Sequence, residues 1–261
     1  MSNAGPKKRR WAQAPLQLAL LALSLLVAPF AAAGVRHFNF IYEAPTSAPG
    51  SFELENWVTW ARTSDPARAD ALAFRHELEM GVTERFQASV YFADWAYTHE
   101  GNHSDVDYTD AALELIYNFS NPVIDPIGLS IYQEVRAGDE LVEWESKIIA
   151  QKNLGPLILA YNATLEAVWE GDNLEDREGE FQQAIGASYE LAPRWSVGIE
   201  LLHEIVFPDW RDDDADNNIF VGPNISYRRN QWFVTATALA QATDTSDEPD
   251  FQLRTIFGIG L

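Results

Sequence analysis

The sequence predicts an all-β protein: a single antiparallel transmembrane β-barrel of about twelve strands behind an N-terminal signal peptide. Three observations carry this. Apolar and polar residues alternate with period two from Phe52 to the end of the chain. Beyond Gly50 no span approaches the ~20 apolar residues that a membrane helix needs. The links between alternating segments are short and long in turn, as in a barrel with periplasmic turns and outer loops. Composition agrees, with 12% aromatic residues (Trp 9, Tyr 9, Phe 14) in a chain of slightly polar mean hydropathy. Aromatic girdles around a polar lumen reconcile the two.

The elements follow in order. Lys7, Lys8, Arg9 and Arg10 form a basic n-region, 16–28 an apolar h-region and Ala31-Ala32-Ala33 a small-residue cleavage site, so residues 1–33 read as a signal peptide cut after Ala33. Its removal takes away four bases and no acids, which moves the formal charge from −21 to −25. Residues 34–51, with Phe38, Phe40, Ile41 and Tyr42, form an N-terminal segment that is expected first as a periplasmic tail and second as a plug folded into the lumen. The barrel occupies 52–261. Its strands are expected near 52–61, 71–82, 86–97, 107–119, 127–136, 141–152, 157–169, 180–190, 195–206, 218–228, 231–242 and 251–261. An even number places both termini on one side.

Short links at 83–85, 121–126, 153–156, 191–194 and 228–230 are assigned to the periplasmic rim. Longer ones at 62–70, 98–106, 170–179, 207–217 and 243–250 face outside, with only the link near Gly138 tight. MGVTERFQASV (80–90), SYELAPRWSVG (188–198) and SYRRNQWFVTA (226–236) repeat one pattern of strand, tight turn with Arg, aromatic and new strand. Phe86, Trp195 and Trp232 then sit at headgroup level. The last segment places Phe251, Leu253, Phe257, Ile259 and Leu261 on one face. It resembles the C-terminal signal by which bacterial outer-membrane barrels are recognised, with Leu261 in place of the usual aromatic, and implies the barrel-assembly machinery as a partner.

The stretches PGSFELENWVTW (49–60) and FRHELEMGVTERFQASVYFADW (74–95) resemble an uncharacterised family of bacterial outer-membrane barrels, a domain-of-unknown-function family. More distantly they are similar to the barrels of the meta-pathway phenol-degradation family. The resemblance implies fold, outer-membrane location and a transport role; it carries no catalytic residues.

Parity along the strands turns a set of charged residues toward the lumen: Glu77, Glu79, Glu114, Glu134, Arg136, Glu143, Glu145, Lys147, Glu166, Glu190, Glu200 and Arg254, together with Glu204, Arg75 and Arg228. Acid exceeds base there, so a ladder of Glu with Arg and Lys is expected to stiffen the barrel. The same excess favours small neutral or cationic solutes, aromatic or apolar ones included, over anions in a passive channel. The alternative is a closed structural or adhesive barrel whose acidic loops, 170–180 and 209–216, meet divalent cations and lipopolysaccharide. Asp212-x-Asp214-x-Asp216 has Asn217 where an EF-hand loop needs Gly, so solvated loops are the simpler expectation. His99 and His103 sit with Glu100 in a turn-like stretch around Gly101-Asn102, unsuited to helical ligation. His76 and His203 fall on apolar faces, where subunit contact fits better than ligation.

An outer-membrane lipid hydrolase, the third class, would need a Ser with a positioned His, and no G-x-S-x-G segment is present. No catalytic residue, metal site or cofactor is assigned. With no cysteine, disulfides and thiolate sites are ruled out, and the acidic charge repels nucleic acid. Sequons at Asn118, Asn162 and Asn224 lie within expected strands.

Overall fold

Twelve antiparallel strands close on themselves in sequence order, β1 pairing with both β2 and β12. This is seen in a computed structural model that describes residues 34, 36–64, 69–211, 215–245 and 248–261. The signal peptide and Asp212 to Asp214 lie outside the described residues. The strands are β1 (Phe52–Thr63), β2 (Ala69–Thr83), β3 (Phe86–Glu100), β4 (His103–Ser120), β5 (Gly128–Gly138), β6 (Leu141–Leu154), β7 (Leu157–Glu170), β8 (Asp176–Ala192), β9 (Trp195–Pro208), β10 (Asp216–Arg229), β11 (Trp232–Gln241) and β12 (Phe251–Gly260). Closure leaves no strand edge, the condition for crossing a bilayer with strands.

One rim carries two-residue turns at Glu84-Arg85, Gly155-Pro156, Pro193-Arg194 and Asn230-Gln231, plus the longer link 121–127. Glycine at 155 has φ +62 and Asn230 φ +54, the left-handed geometry that tight hairpin turns require. Both ends of the barrel, Phe52 and Leu261, meet at this rim through Leu261 N donating to Phe52 O. At the opposite rim two expected loops are mostly strand. The stretch 98–106 reduces to a turn at Gly101-Asn102, and 170–179 to a short 3-10 turn at Asp172–Leu174 with its neighbours. Period two fails as a signal there because these strand ends are mostly polar and neither face is covered; β4 is exposed from His103 to Tyr108.

The faces separate cleanly. Leu113, Leu165, Ile185 and Ile199 are exposed outward at 49%, 63%, 52% and 52%, while Glu114, Glu200 and Glu77 on the other face are at 0–1%. An outward row Trp195–Tyr227–Trp232–Phe257 runs across β9 to β12 with successive ring centroids 4.5, 5.3 and 6.2 Å apart, an aromatic belt beside the short turns.

Candidate functional site in the barrel lumen

The segment expected first as a periplasmic tail lies inside the barrel. Its polypeptide starts at the short-turn rim, where Gly34 N donates to Glu53, turns back near Phe40, and returns to the same rim, where Gly50 N donates to Gly81 O. Irregular backbone in a lumen must find its hydrogen bonds from the wall. Those bonds are present. Asn39 N and Phe40 N both donate to the Glu200 carboxylate, at 3.0 and 2.7 Å. Tyr42 and Asn162 exchange two bonds, from Tyr42 N to Oδ1 and from Nδ2 to Tyr42 O. Ala44 N donates to Gln151, and Ala44 O accepts from Asn118 and Ser130. Arg36 O accepts from Ser226 and Thr235.

Apolar contacts complete the docking. Phe38, Phe40 and Ile41 form one buried cluster with Ile158, Ala160, Ala184, Leu202, Phe220 and Leu239 of the inner wall. Gly186 lies under this tip: a Cβ there would come within 2.5 Å of Ile41 and 2.6 Å of Phe38. A periplasmic tail would leave these large apolar side chains in water, whereas the inner face of β7 to β11 offers apolar partners. Of the two expectations for 34–51, the contacts of 36–44 with the inner wall agree with the plug.

The charged residues assigned to the lumen all lie on the inward face, arranged by register. Glu114, Glu134, Glu145, Glu166 and Glu180 stand directly opposite one another on five adjacent strands, β4 to β8. Opposed like charges destabilise a sheet unless cations intervene. Arg75 bonds Asp94 at 2.7 Å and Glu134 at 3.0 Å; Arg136 reaches Glu143 at 2.9 Å, Glu134 at 3.2 Å and Asp110 at 3.3 Å. Lys147 contacts Glu145 at 2.6 Å and lies over the Tyr42 and Tyr132 rings at 4.3 and 4.4 Å. Among the described residues Glu166 and Glu180 make no ion pair; Glu180 shares with Glu204 the Gln182 amide, at 3.2 Å each.

Elsewhere, Glu114 accepts from Tyr91 at 2.8 Å and Tyr42 at 3.1 Å. Glu79 accepts from Gln87 and Ser47, and Glu190 pairs with Arg228 at 3.0 Å. Besides the plug, Glu200 takes Asn224 at 2.9 Å and Thr237 at 2.6 Å. The Arg254 guanidinium is 4.0 Å from the Phe40 ring centroid, and its Nε donates to Thr59. Glu143, Glu145 and Glu166 bring carboxylate oxygens within 4.8 Å of one another, with Arg136 and Lys147 already in contact.

Sequence reasoning missed Arg36, Glu53, Glu55, Trp57, Tyr91 and Tyr132. Glu53 and Glu55 alternate with Leu54 and Asn56, so period two in β1 was the available signal. Arg36 left none, because an irregular segment has no periodicity. His76 and His203 face outward and bond Asn56 at 2.9 Å and Asn217 at 2.7 Å. His99 Nδ1 lies 2.8 Å from Ser104 Oγ on the exposed β3–β4 hairpin.

The sequence matches, over residues 30–252, the model of a family of unknown function, DUF6662. No curated protein matches it. Among solved structures, an outer membrane channel from Pseudomonas putida F1 is similar at 12% identity with TM-score 0.66, covering 84% of this chain and 98% of its own. The translocator domain of the autotransporter NalP from Neisseria meningitidis (11% identity, TM-score 0.51) covers 95% of each chain. The porin NanC (10% identity, TM-score 0.51) covers 79% of this chain and 98% of its own. At such identities the likeness is one of fold: a closed twelve-stranded antiparallel barrel of the kind found in these outer-membrane proteins.

Proposed function

The chain belongs to the DUF6662 family of unknown function, and on that premise we propose that it is a passive outer-membrane channel for small neutral or cationic solutes, closed by its own N-terminal segment. The observation that carries this reading is the inward face, where carboxylates outnumber Arg and Lys and where Glu166 and Glu180 stand without a cation among the described residues. Unneutralised carboxylate lowers the energy of a cation in a narrow pore and raises that of an anion. Residues 34–51, left at the periplasmic mouth once 1–33 is removed, act as the stopper. The C-terminal strand addresses the chain to the barrel-assembly machinery, and the acidic outer loops meet lipopolysaccharide through divalent cations. Catalysis is no part of this reading.

Planar-bilayer recording in asymmetric KCl tests it. Wild type should conduct in brief openings with a reversal potential on the cation side, and deletion of 36–48 should give long openings with the same selectivity. A chloride-side reversal potential would refute the electrostatic argument. The filled lumen itself favours a second reading, a closed structural barrel; a deletion that folds and still passes no current would establish that one instead.

A further inference from the structure

The plug brings its own cation into the acidic lumen. Arg36 Nη1 donates to Glu55 Oε2 on β1 at 2.5 Å, and its guanidinium lies 4.4 Å from the Trp57 ring centroid and 5.0 Å from that of Tyr42. Trp57 Nε1 donates to the same Glu55 oxygen at 2.8 Å and so holds the carboxylate in place. Directly across on β2 stands Glu77, only 1% exposed, whose Oε2 has no hydrogen-bond partner among the described residues. A buried carboxylate oxygen left unpaired is costly, and in a lumen its natural complement is an N–H donor that carries charge. Below Arg36 a cavity of about 300 Å³, lined in part by Tyr42, Glu53, Glu55, Glu79 and Gln87, reaches Gly34 and Phe52 at the periplasmic rim.

We propose that Glu55, Glu77 and Trp57 of the barrel wall form a binding cage for guanidinium-bearing solutes, occupied in the closed barrel by Arg36 as a tethered competitor. The inference rests on the cation-preferring reading above and names its solute class. Two carboxylates supply charge-assisted acceptors for a planar fork, and the Trp57 indole face supplies cation–π contact. Arg36 makes those contacts from within the same chain, at an effective concentration on the order of millimolar for a short tether, so a dilute free guanidinium is excluded until the plug withdraws. Selection and closure then use one set of side chains: a solute that fits the cage also displaces the residue that holds the plug over it.

Calorimetric titration of the folded full-length mature protein in detergent micelles with ethylguanidinium tests this without requiring conduction. Arg36→Ala should bind ethylguanidinium at least about tenfold more tightly than wild type, ~1.4 kcal/mol. Adding Glu55→Gln or Glu77→Gln to Arg36→Ala should abolish the gain, and ethanol or Na⁺ at equal concentration should not reproduce it. Arg36→Lys, which keeps a charge in the plug, should fall between wild type and Arg36→Ala, and serves if the alanine variant folds poorly. Equal affinities for wild type and the two Arg36 variants would overturn the proposal, as would a gain that survives both glutamine substitutions. A barrel that binds but passes no current would fail only the channel reading; one that conducts cations yet shows no gain would fail only this one.

Discussion

Two sets of polar groups on the inner wall are satisfied in different ways. From β2 to β6, Asp94, Asp110, Glu134, Glu143 and Glu145 are met by Arg75, Arg136 and Lys147, all wall residues. From β7 to β11, Glu200, Asn162, Thr235 and Ser226 are met largely by the backbone of residues 36–42. The first network stays whole if the plug leaves. The second does not, since its polar groups would be handed to water. The ion pairs of β2 to β6 are therefore a permanent strut, while the groups that bond residues 36–48, on β4 to β6 as well as on β7 to β11, are a docking surface, and a lumen can hold both because the strands are joined by their own backbone ladders.

Breaking the strut should have the largest effect. Arg136→Ala leaves Glu134, Glu143 and Asp110 facing one another without their shared cation, and should cost about 3–5 kcal/mol in urea unfolding of the micelle-folded barrel. A loss under 1 kcal/mol would mean the network is already solvated. Next comes a probe of the outer side of the docking wall: Ile199→Arg, adjacent to Glu200 but facing outward, should cost about 2–4 kcal/mol in lipid vesicles if it lies near the midplane. A neutral outcome would move that level out of the hydrocarbon.

Glu200→Gln is smaller still. It keeps shape but replaces one acceptor oxygen of a carboxylate that holds Asn39, Phe40, Asn224 and Thr237, and should weaken plug docking by about 1–3 kcal/mol, read as longer open times at unchanged unfolding midpoint. A drop in global stability with unchanged openings would make Glu200 part of the strut instead.

The smallest expected effect is of pH. Burial works against the charged form of His37, but Glu43, bonded at 2.8 Å, and Glu190 outweigh it and Arg228, so its folded pKa is raised. A group raised on folding stabilises fully below its free value near 6.5 and loses that contribution as pH rises through the folded value. Open probability should therefore climb as pH is raised from about 6 toward 8, and His37→Gln should flatten the curve. A climb on acidification instead would assign the titration to another group.

Much of this was legible beforehand. Strand count and the alternation of two faces along each strand follow from period two, because a strand's alternation is a local property that survives into the barrel. Val197, Ile199 and Leu201 against Glu200 and Glu204 were enough to orient β9. The register was not legible: that Glu114, Glu134, Glu145, Glu166 and Glu180 fall on one line depends on the stagger between five strands, set by turns and closure together. Nor was the choice between tail and plug for residues 34–51. By itself the sequence determined the strands, their faces and an acid-rich interior, since these need only neighbours along the chain. The tertiary structure alone decided which carboxylates meet a wall cation and which meet the plug, because hydrogen bonds such as Asn39 to Glu200 join residues 161 positions apart and exist only once the barrel has closed around them.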